Sequence, residues 1–302
     1  MNKEFYEKLI AIVSVENIAL DEPMKKHTTF RIGGNADMFV CPKISQLPDI
    51  IKLAQEYNVP VTIIGNGSNL LVSDKGVRGL VLAISKSADQ IEVSGNSMIV
   101  GAGALLSKVA AEAARNNLTG LEFAAGIPGT LGGAVVMNAG AYGGEINDVI
   151  ATARVLAPNG EVLTLTNEEL DLSYRHSCIP EKEYIVLDAV LELRQGDVNQ
   201  IRKMMDDFKN RRIEKQPLEY PSAGSTFKRP EGYFAGKLIQ DAGLRGYAVG
   251  GAEVSEKHCG FVINKDNATA QDVLQLIKDV QQKVYEEFQV KLEPEVKMMG
   301  EF

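Results

Sequence analysis

The sequence predicts an α+β fold. Three observations carry that prediction: strand-like runs recur through the first two thirds of the chain, long helical stretches are few, and no regular strand–helix–strand alternation joins them. With 302 residues, 45% of them hydrophobic and 24% charged, the chain is globular in composition and too long for one ordinary core. Taken in order, the apolar run at 9–13 is followed closely by Glu16, which is too short for a secretion signal. Residues 37–41 read as a strand. A helix over 45–58 follows, with Ser45 as N-cap, Leu47, Ile50, Ile51 and Ala54 on one face, and Asn58 at its end. Strands are expected at 59–64, 80–84, 90–93 and 98–100, then a helix at 105–116. The 22 residues 123–144 lack any charge, but their seven glycines and Pro128 suit a buried glycine-rich loop rather than a spanning helix. Strands at 149–156, 162–165 and 184–193 complete this part.

Near residue 196 the texture changes. Gly196-Asp197 opens a helix to about Lys215, with Ile201, Met204, Met205 and Phe208 on one stripe and the methionines read as core. A Gly/Pro-rich stretch, 216–232, leads to a helix over 270–288. It starts with a capping box of Thr269 and Asp272 and keeps Val273, Ile277, Val280, Val284 and Phe288 at helical spacing. A domain boundary is placed near 196 and a softer one near 80.

Formal charge is −8, from 32 basic and 40 acidic residues, which argues against a nucleic-acid binder with a broad basic face. Three cysteines, Cys41, Cys178 and Cys259, show no CxxC spacing, so neither a disulfide framework nor a zinc site is expected. His176 near Cys178 and His258 beside Cys259 lack any metal-binding motif, and no metal is expected. A cytoplasmic protein without membrane attachment fits these features.

The strongest local signal is the strand that runs into Gly65-Asn66-Gly67-Ser68-Asn69, where amides and short polar side chains converge as a phosphate requires. It is not the dinucleotide fingerprint, because Leu70 holds the last glycine position, and a plain tight turn is the alternative. The second is Gly126-Ile-Pro-Gly129-Thr130-Leu-Gly132-Gly133, with a glycine at every third position. Such density suits a backbone pressed by something: either a tightly packed hairpin or an extended dinucleotide cofactor. The third is electrostatic: 208–229 carries six basic residues against Glu214 and Glu219. The helical part reads as a solvated face, whereas Lys228 and Arg229 follow Gly224-Ser225-Thr226 in a loop suited to phosphate or carboxylate.

Six segments resemble, in order, those of the UDP-N-acetylenolpyruvoylglucosamine reductases, the MurB family of flavoenzymes. They are Thr28-Thr-Phe-Arg-Ile-Gly-Gly34, Gly65-Asn-Gly-Ser-Asn-Leu-Leu71, Gly126-Ile-Pro-Gly-Thr-Leu-Gly-Gly133 with Asn138-Ala-Gly-Ala-Tyr-Gly143, Tyr174-Arg-His-Ser177, Gly224-Ser-Thr-Phe-Lys228 and Leu292-Glu-Pro-Glu-Val296. The resemblance implies an FAD-binding fold of the vanillyl-alcohol-oxidase type in two subdomains, 1–80 and 81–196, plus a C-terminal α+β substrate domain, 197–302. It implies NADPH-dependent, FAD-mediated reduction of an enolpyruvyl UDP-sugar in peptidoglycan precursor synthesis, by a monomer with non-covalent FAD. By the same resemblance Arg175, Ser225 and Glu295 are catalytic. Arg31, Gly65, Asn66, Gly67, Ser68, Asn69, Gly126, Gly129, Thr130, Gly132 and Gly133 would hold the cofactor, and Tyr174, Lys215 and Lys228 the substrate.

The chemistry needs those residue types. Hydride addition at substrate C3 leaves negative charge at C2, which an arginine can stabilise through the carboxylate. Glu295 would share this as a neutral acid or by holding Arg175, and Ser225 would protonate C2. Two departures stand out: Arg229 occupies a position where many relatives have asparagine, and no long inserted loop follows Tyr174, as in the shorter subtype. A flavin oxidase of the same fold is the alternative, although no histidine lies in 65–72 or 126–143 to tether a flavin. A non-catalytic nucleotide sensor is the other, and it leaves the arginine, serine and glutamate motifs unexplained.

Overall fold

The structure, a computed structural model, describes residues 3–302. Seven α-helices occur among them: α1 (Lys3–Ile12), α2 (Leu47–Glu56), α3 (Leu106–Arg115), α4 (Leu131–Val136), α5 (Val198–Lys215), α6 (Ala235–Asp241) and α7 (Ala270–Phe288). None is long and apolar enough to cross a membrane.

The strands form small sheets rather than one continuous layer. Four strands pair in the order Ile18–Pro23, Asn35–Val40, Val77–Ala83, Val61–Ile64, the last two parallel with Val61 opposite Leu80. Five antiparallel strands pair in the order Val162–Thr166, Ile150–Leu156, Ile185–Glu192, Ser97–Gly101, Ile91–Ser94. Three short strands, Ala248–Val249, Ala252–Val254 and Val262–Asn264, form a third sheet. Leu70–Val72 pairs in parallel with Lys297–Met299.

Two compact units share the chain and interleave along it. Unit 1 comprises 1–20, 38–66 and 79–211, and unit 2 comprises 21–37, 67–78 and 212–302. Each has its own core. In unit 1, Phe5, Leu9 and Val13 of the α1 region join the apolar faces of α2 and α3 and the five-stranded sheet. In unit 2, α7 contributes Val273, Leu276, Ile277, Val280 and Val284, packed with Phe30, Ile32 and Leu71 from the two early segments.

Several expected elements appear with shifted ends. α2 begins at Leu47 after a 3-10 turn, Ile44–Gln46, so Gln46 rather than Ser45 precedes it; Pro48 in its first turn fixes that start. Asn58 turns left-handed (φ 53°) just past its end. α5 follows Asp197, whose carboxylate accepts from the amides of Asn199 and Gln200, both at 2.9 Å. Its apolar stripe is only partly used. Ile201 is buried and Met205 packs on the unit 1 core, but Met204 is 45% exposed and is not a core residue. Helices α1, α4 and α6 were not expected. In α4 two consecutive glycines lower helix propensity, and burial of Leu131, Ala134 and Val135 offsets that cost. The Thr269–Asp272 capping box of α7 forms as expected.

Candidate active site

In unit 1 the two glycine-rich loops meet. The strand Val61–Ile64 delivers Gly65 against Thr130, where a Cβ would overlap the threonine Oγ1. Asn66 Nδ2 donates to the Pro128 carbonyl at 2.6 Å. The second loop is fixed from behind: Leu106 N donates to Gly129 O (3.0 Å), Leu131 N to Ala104 O (2.8 Å) and Gly132 N to Ala102 O (2.8 Å). Gly132 therefore has an internal reason to be glycine, since a Cβ there would sit 3.0 Å from the Ala102 Cβ. Gly133 is exposed, and a Cβ on it would touch only Thr130 Oγ1, at 3.8 Å. Beside the first loop's strand runs a groove of about 410 Å³, whose walls include Val61, Ile63, Leu156, Ile179, Tyr184 and Ile185.

Arg175, also in unit 1, occupies a turn closed by reciprocal backbone bonds between Ser173 and His176. Its φ of 57° is left-handed, an uncommon conformation for a long side chain and one that concentrates at functional sites. The guanidinium lies 4.9 Å from the Tyr174 ring centroid, and Nη2 donates to Gly140 O at 3.2 Å. Gly140 opens a small hairpin whose turn residues, Tyr142 and Gly143, both have positive φ. Tyr142 stacks flat on Phe208 of α5, with centroids 4.5 Å apart.

In unit 2, Gly67 (φ 61°) lies so close to the 27–29 segment that a Cβ would overlap the His27 carbonyl. Thr29 N donates to Gly67 O at 3.1 Å, and Arg31 is exposed with φ 55°. Ser68 is half-buried. Asn69 Nδ2 donates to Glu295 O (3.1 Å), and Lys297 N donates to Asn69 O (2.9 Å). Glu295 N in turn donates to Thr226 O, and Lys228 N to Glu293 O, both at 2.8 Å. One ladder thus brings the 65–71, 224–228 and 292–296 motifs together and places Ser225 one residue from the backbone partner of Glu295.

The side chains divide sharply along that ladder. Ser225 is exposed, whereas Thr226 is buried and its Oγ1 accepts from Val262 N at 2.9 Å. Lys228 pairs with Glu293 at 3.2 Å. Arg229 stacks over Phe234, 3.9 Å from the ring centroid, and donates from Nε to Tyr233 O, so its guanidinium already orders its own loop. Lys215 is exposed at the end of α5. Burial pushes the His258 imidazole below its ordinary value, and the charge of Lys215 acts in the same direction. His258 Nδ1 accepts from Gly260 N at 3.1 Å.

Residues 216–299 match the family described as UDP-N-acetylenolpyruvoylglucosamine reductase, C-terminal domain, and residues 36–166 match the FAD binding domain family. A UDP-N-acetylenolpyruvoylglucosamine reductase of Agathobacter rectalis is 59% identical over 314 aligned positions, covering 100% of both chains. Among solved structures, the UDP-N-acetylenolpyruvylglucosamine reductase of Thermus caldophilus superposes with a TM-score of 0.81 at 36% identity, covering 94% of this chain and 98% of that one. Phl p 4, a grass pollen allergen with glucose dehydrogenase activity, reaches 0.51 at 12% identity over 64% of this chain and 44% of its own, which shows a shared fold alone.

Proposed function

The chain belongs to the UDP-N-acetylenolpyruvoylglucosamine reductase family and is a flavin oxidoreductase, and we propose that it reduces the enolpyruvyl ether of UDP-N-acetylglucosamine to UDP-N-acetylmuramate with NADPH as electron donor. The observation that supports this reading is the ladder in unit 2, in which Glu295 N donates to the carbonyl of Thr226, the neighbour of exposed Ser225, and Glu295 O accepts from Asn69.

FAD fits what the residues offer. In unit 1, Gly65, Asn66, Gly126, Gly129, Thr130 and Gly133 present small side chains and backbone suited to a pyrophosphate, and the groove along Val61 and Ile63 suits an apolar ring. In unit 2, Arg31, Gly67, Ser68 and Asn69 add a cation and hydrogen-bonding groups. Gly132 supports the loop from inside. Held by these residues, FAD would supply the hydride-transfer chemistry between NADPH and the substrate.

The chain's own residues would do the rest. Hydride addition at C3 leaves charge at C2 and its carboxylate, and Arg175, permanently charged, stabilises it. Glu295 shares in stabilising that charge, and Ser225 donates a proton to C2. Tyr174, Lys215 and Lys228 bind the substrate. The division into flavin-binding parts 1–80 and 81–196 and a substrate part 197–302, a monomeric state and a cytoplasmic site belong to the same proposal.

The deciding assay follows NADPH oxidation with and without the enolpyruvyl substrate, using NADH as comparator. Substrate-dependent consumption, with UDP-N-acetylmuramate as product, is expected. Oxygen-dependent turnover of a simple sugar without NADPH would favour a flavin oxidase instead.

A further inference from the structure

We propose that Asn138 is a positioning residue that holds Arg175 in its working pose, an inference that rests on the role given to Arg175 above. Three alternate residues of one segment grip the 173–177 turn. Ser177 Oγ donates to Val136 O at 2.6 Å, Asn138 Nδ2 donates to Ser173 O at 3.0 Å, and Arg175 Nη2 donates to Gly140 O at 3.2 Å. The segment begins at Val136, the last residue of α4, so the second glycine-rich loop and the arginine turn share one support.

Asn138 is the middle grip. It is fully buried, and both ends of its amide are engaged: Nδ2 with Ser173, and Oδ1 accepting from Asn147 N at 2.9 Å. Asn147 is itself anchored by Asn167, whose Nδ2 donates to its backbone carbonyl at 3.1 Å. The position needs a donor, an acceptor and tolerance of a left-handed backbone, since φ is 43°. Asparagine supplies all three; aspartate lacks the donor, and glycine lacks both polar groups. The turn it steadies carries Arg175 at φ 57°, a conformation that surrounding bonds must enforce. A guanidinium fixed before the reaction loses no time or entropy in finding the developing charge.

The test uses the full-length flavin-loaded enzyme with Asn138→Asp and Asn138→Gly. Aspartate keeps shape and the bond from Asn147 N; glycine keeps the backbone conformation should the buried carboxylate prevent folding. Both are expected to stay yellow and to be reduced by NADPH at the wild-type rate. Reoxidation by the enolpyruvyl substrate should slow roughly 10- to 100-fold, the range for a misplaced catalytic group, with little change in KM. Limited trypsin digestion gives an independent reading, because the turn contains a cleavable bond after Arg175. Cleavage there should accelerate about fivefold, on the order of one hydrogen bond's effect on local opening. Unchanged cleavage in both variants, or faster cleavage with wild-type reoxidation, overturns the proposal. Arg175→Ala separates the two ideas: if it reoxidises normally, the role of Arg175 is what fails, while the trypsin result still judges the grip.

Discussion

Ser225 and Thr226 are adjacent hydroxyls with opposite fates, one exposed and one buried against Val262 N. Ser225→Ala should fold, bind FAD and accept hydride from NADPH normally, yet lose at least about 10²-fold in turnover, the lower end of a general acid's contribution. Stopped-flow resolves the half-reactions; an alanine variant with wild-type reoxidation removes Ser225 as the acid. Thr226 does not stand in for it, because its buried hydroxyl already serves the backbone, and Thr226→Val should destabilise by about 1–3 kcal/mol by stranding Val262 N–H. The motifs made these positions visible in the sequence, but nothing in a Gly-Ser-Thr string says which hydroxyl faces out. Packing decides that. His258 gives a pH effect of definite sign. Burial holds its folded-state pKa below the ordinary 6.5, so the unfolded chain binds more protons as pH falls. Its contribution is intact above about 6.5 and declines below that value. The thermal midpoint should therefore drop between pH 7.5 and 5.5, and His258→Gln should flatten the slope; parallel slopes would assign the loss to other groups.

Individual elements explain which expectations transferred to the structure. Strand runs and the long α7 were legible because period and capping residues agreed with tertiary burial. The segment around α4 was not, because glycine at 132 and 133 speaks against helix while Leu131, Ala134 and Val135 are pulled inward by the core. α5 erred the other way: its stripe reads as buried, but Met204 is 45% exposed, Ile201 is buried, and of the stripe Met205 packs on the unit 1 core. The two α4 glycines yield a paired prediction. Gly132→Asp forces a carboxylate against Ala102 and should give little soluble, folded protein. Gly133→Asp meets no protein atoms that resist it, and should fold normally but lose FAD by repelling the pyrophosphate. Absorbance near 450 nm, compared with far-UV circular dichroism, distinguishes the two. A yellow Gly133→Asp protein would take that residue out of the cofactor site.

At the scale of the whole molecule the chain is woven rather than strung. The sequence changes texture near 196, whereas the last segment of unit 2 begins at Arg212, and unit 2 also draws on 21–37 and 67–78. Sequence contiguity cannot reveal that, because Phe30, Ile32 and Leu71 look like any apolar residues until a distant helix covers them. They are 1%, 2% and 0% exposed in the unit 2 core. Fully burying side chains of this kind stabilises by about 1.5–3 kcal/mol each, so the three account for roughly 5–9 kcal/mol. That is comparable to the entire stability of a typical domain, about 5–15 kcal/mol. The same early segments also cap α7. Asp74 accepts from Ala270 N at 2.9 Å and Gln271 N at 3.1 Å, and Leu70–Val72 is the parallel partner of Lys297–Met299. A fragment of residues 197–302 would lose all of these at once. It should show residual helix by circular dichroism, from the capping box and long apolar face of α7, but no cooperative thermal transition and no sharp near-UV signal. The intact chain should melt cooperatively under the same conditions. A fragment that unfolds cooperatively near the intact protein's midpoint would show that the late segments hold unit 2 together by themselves.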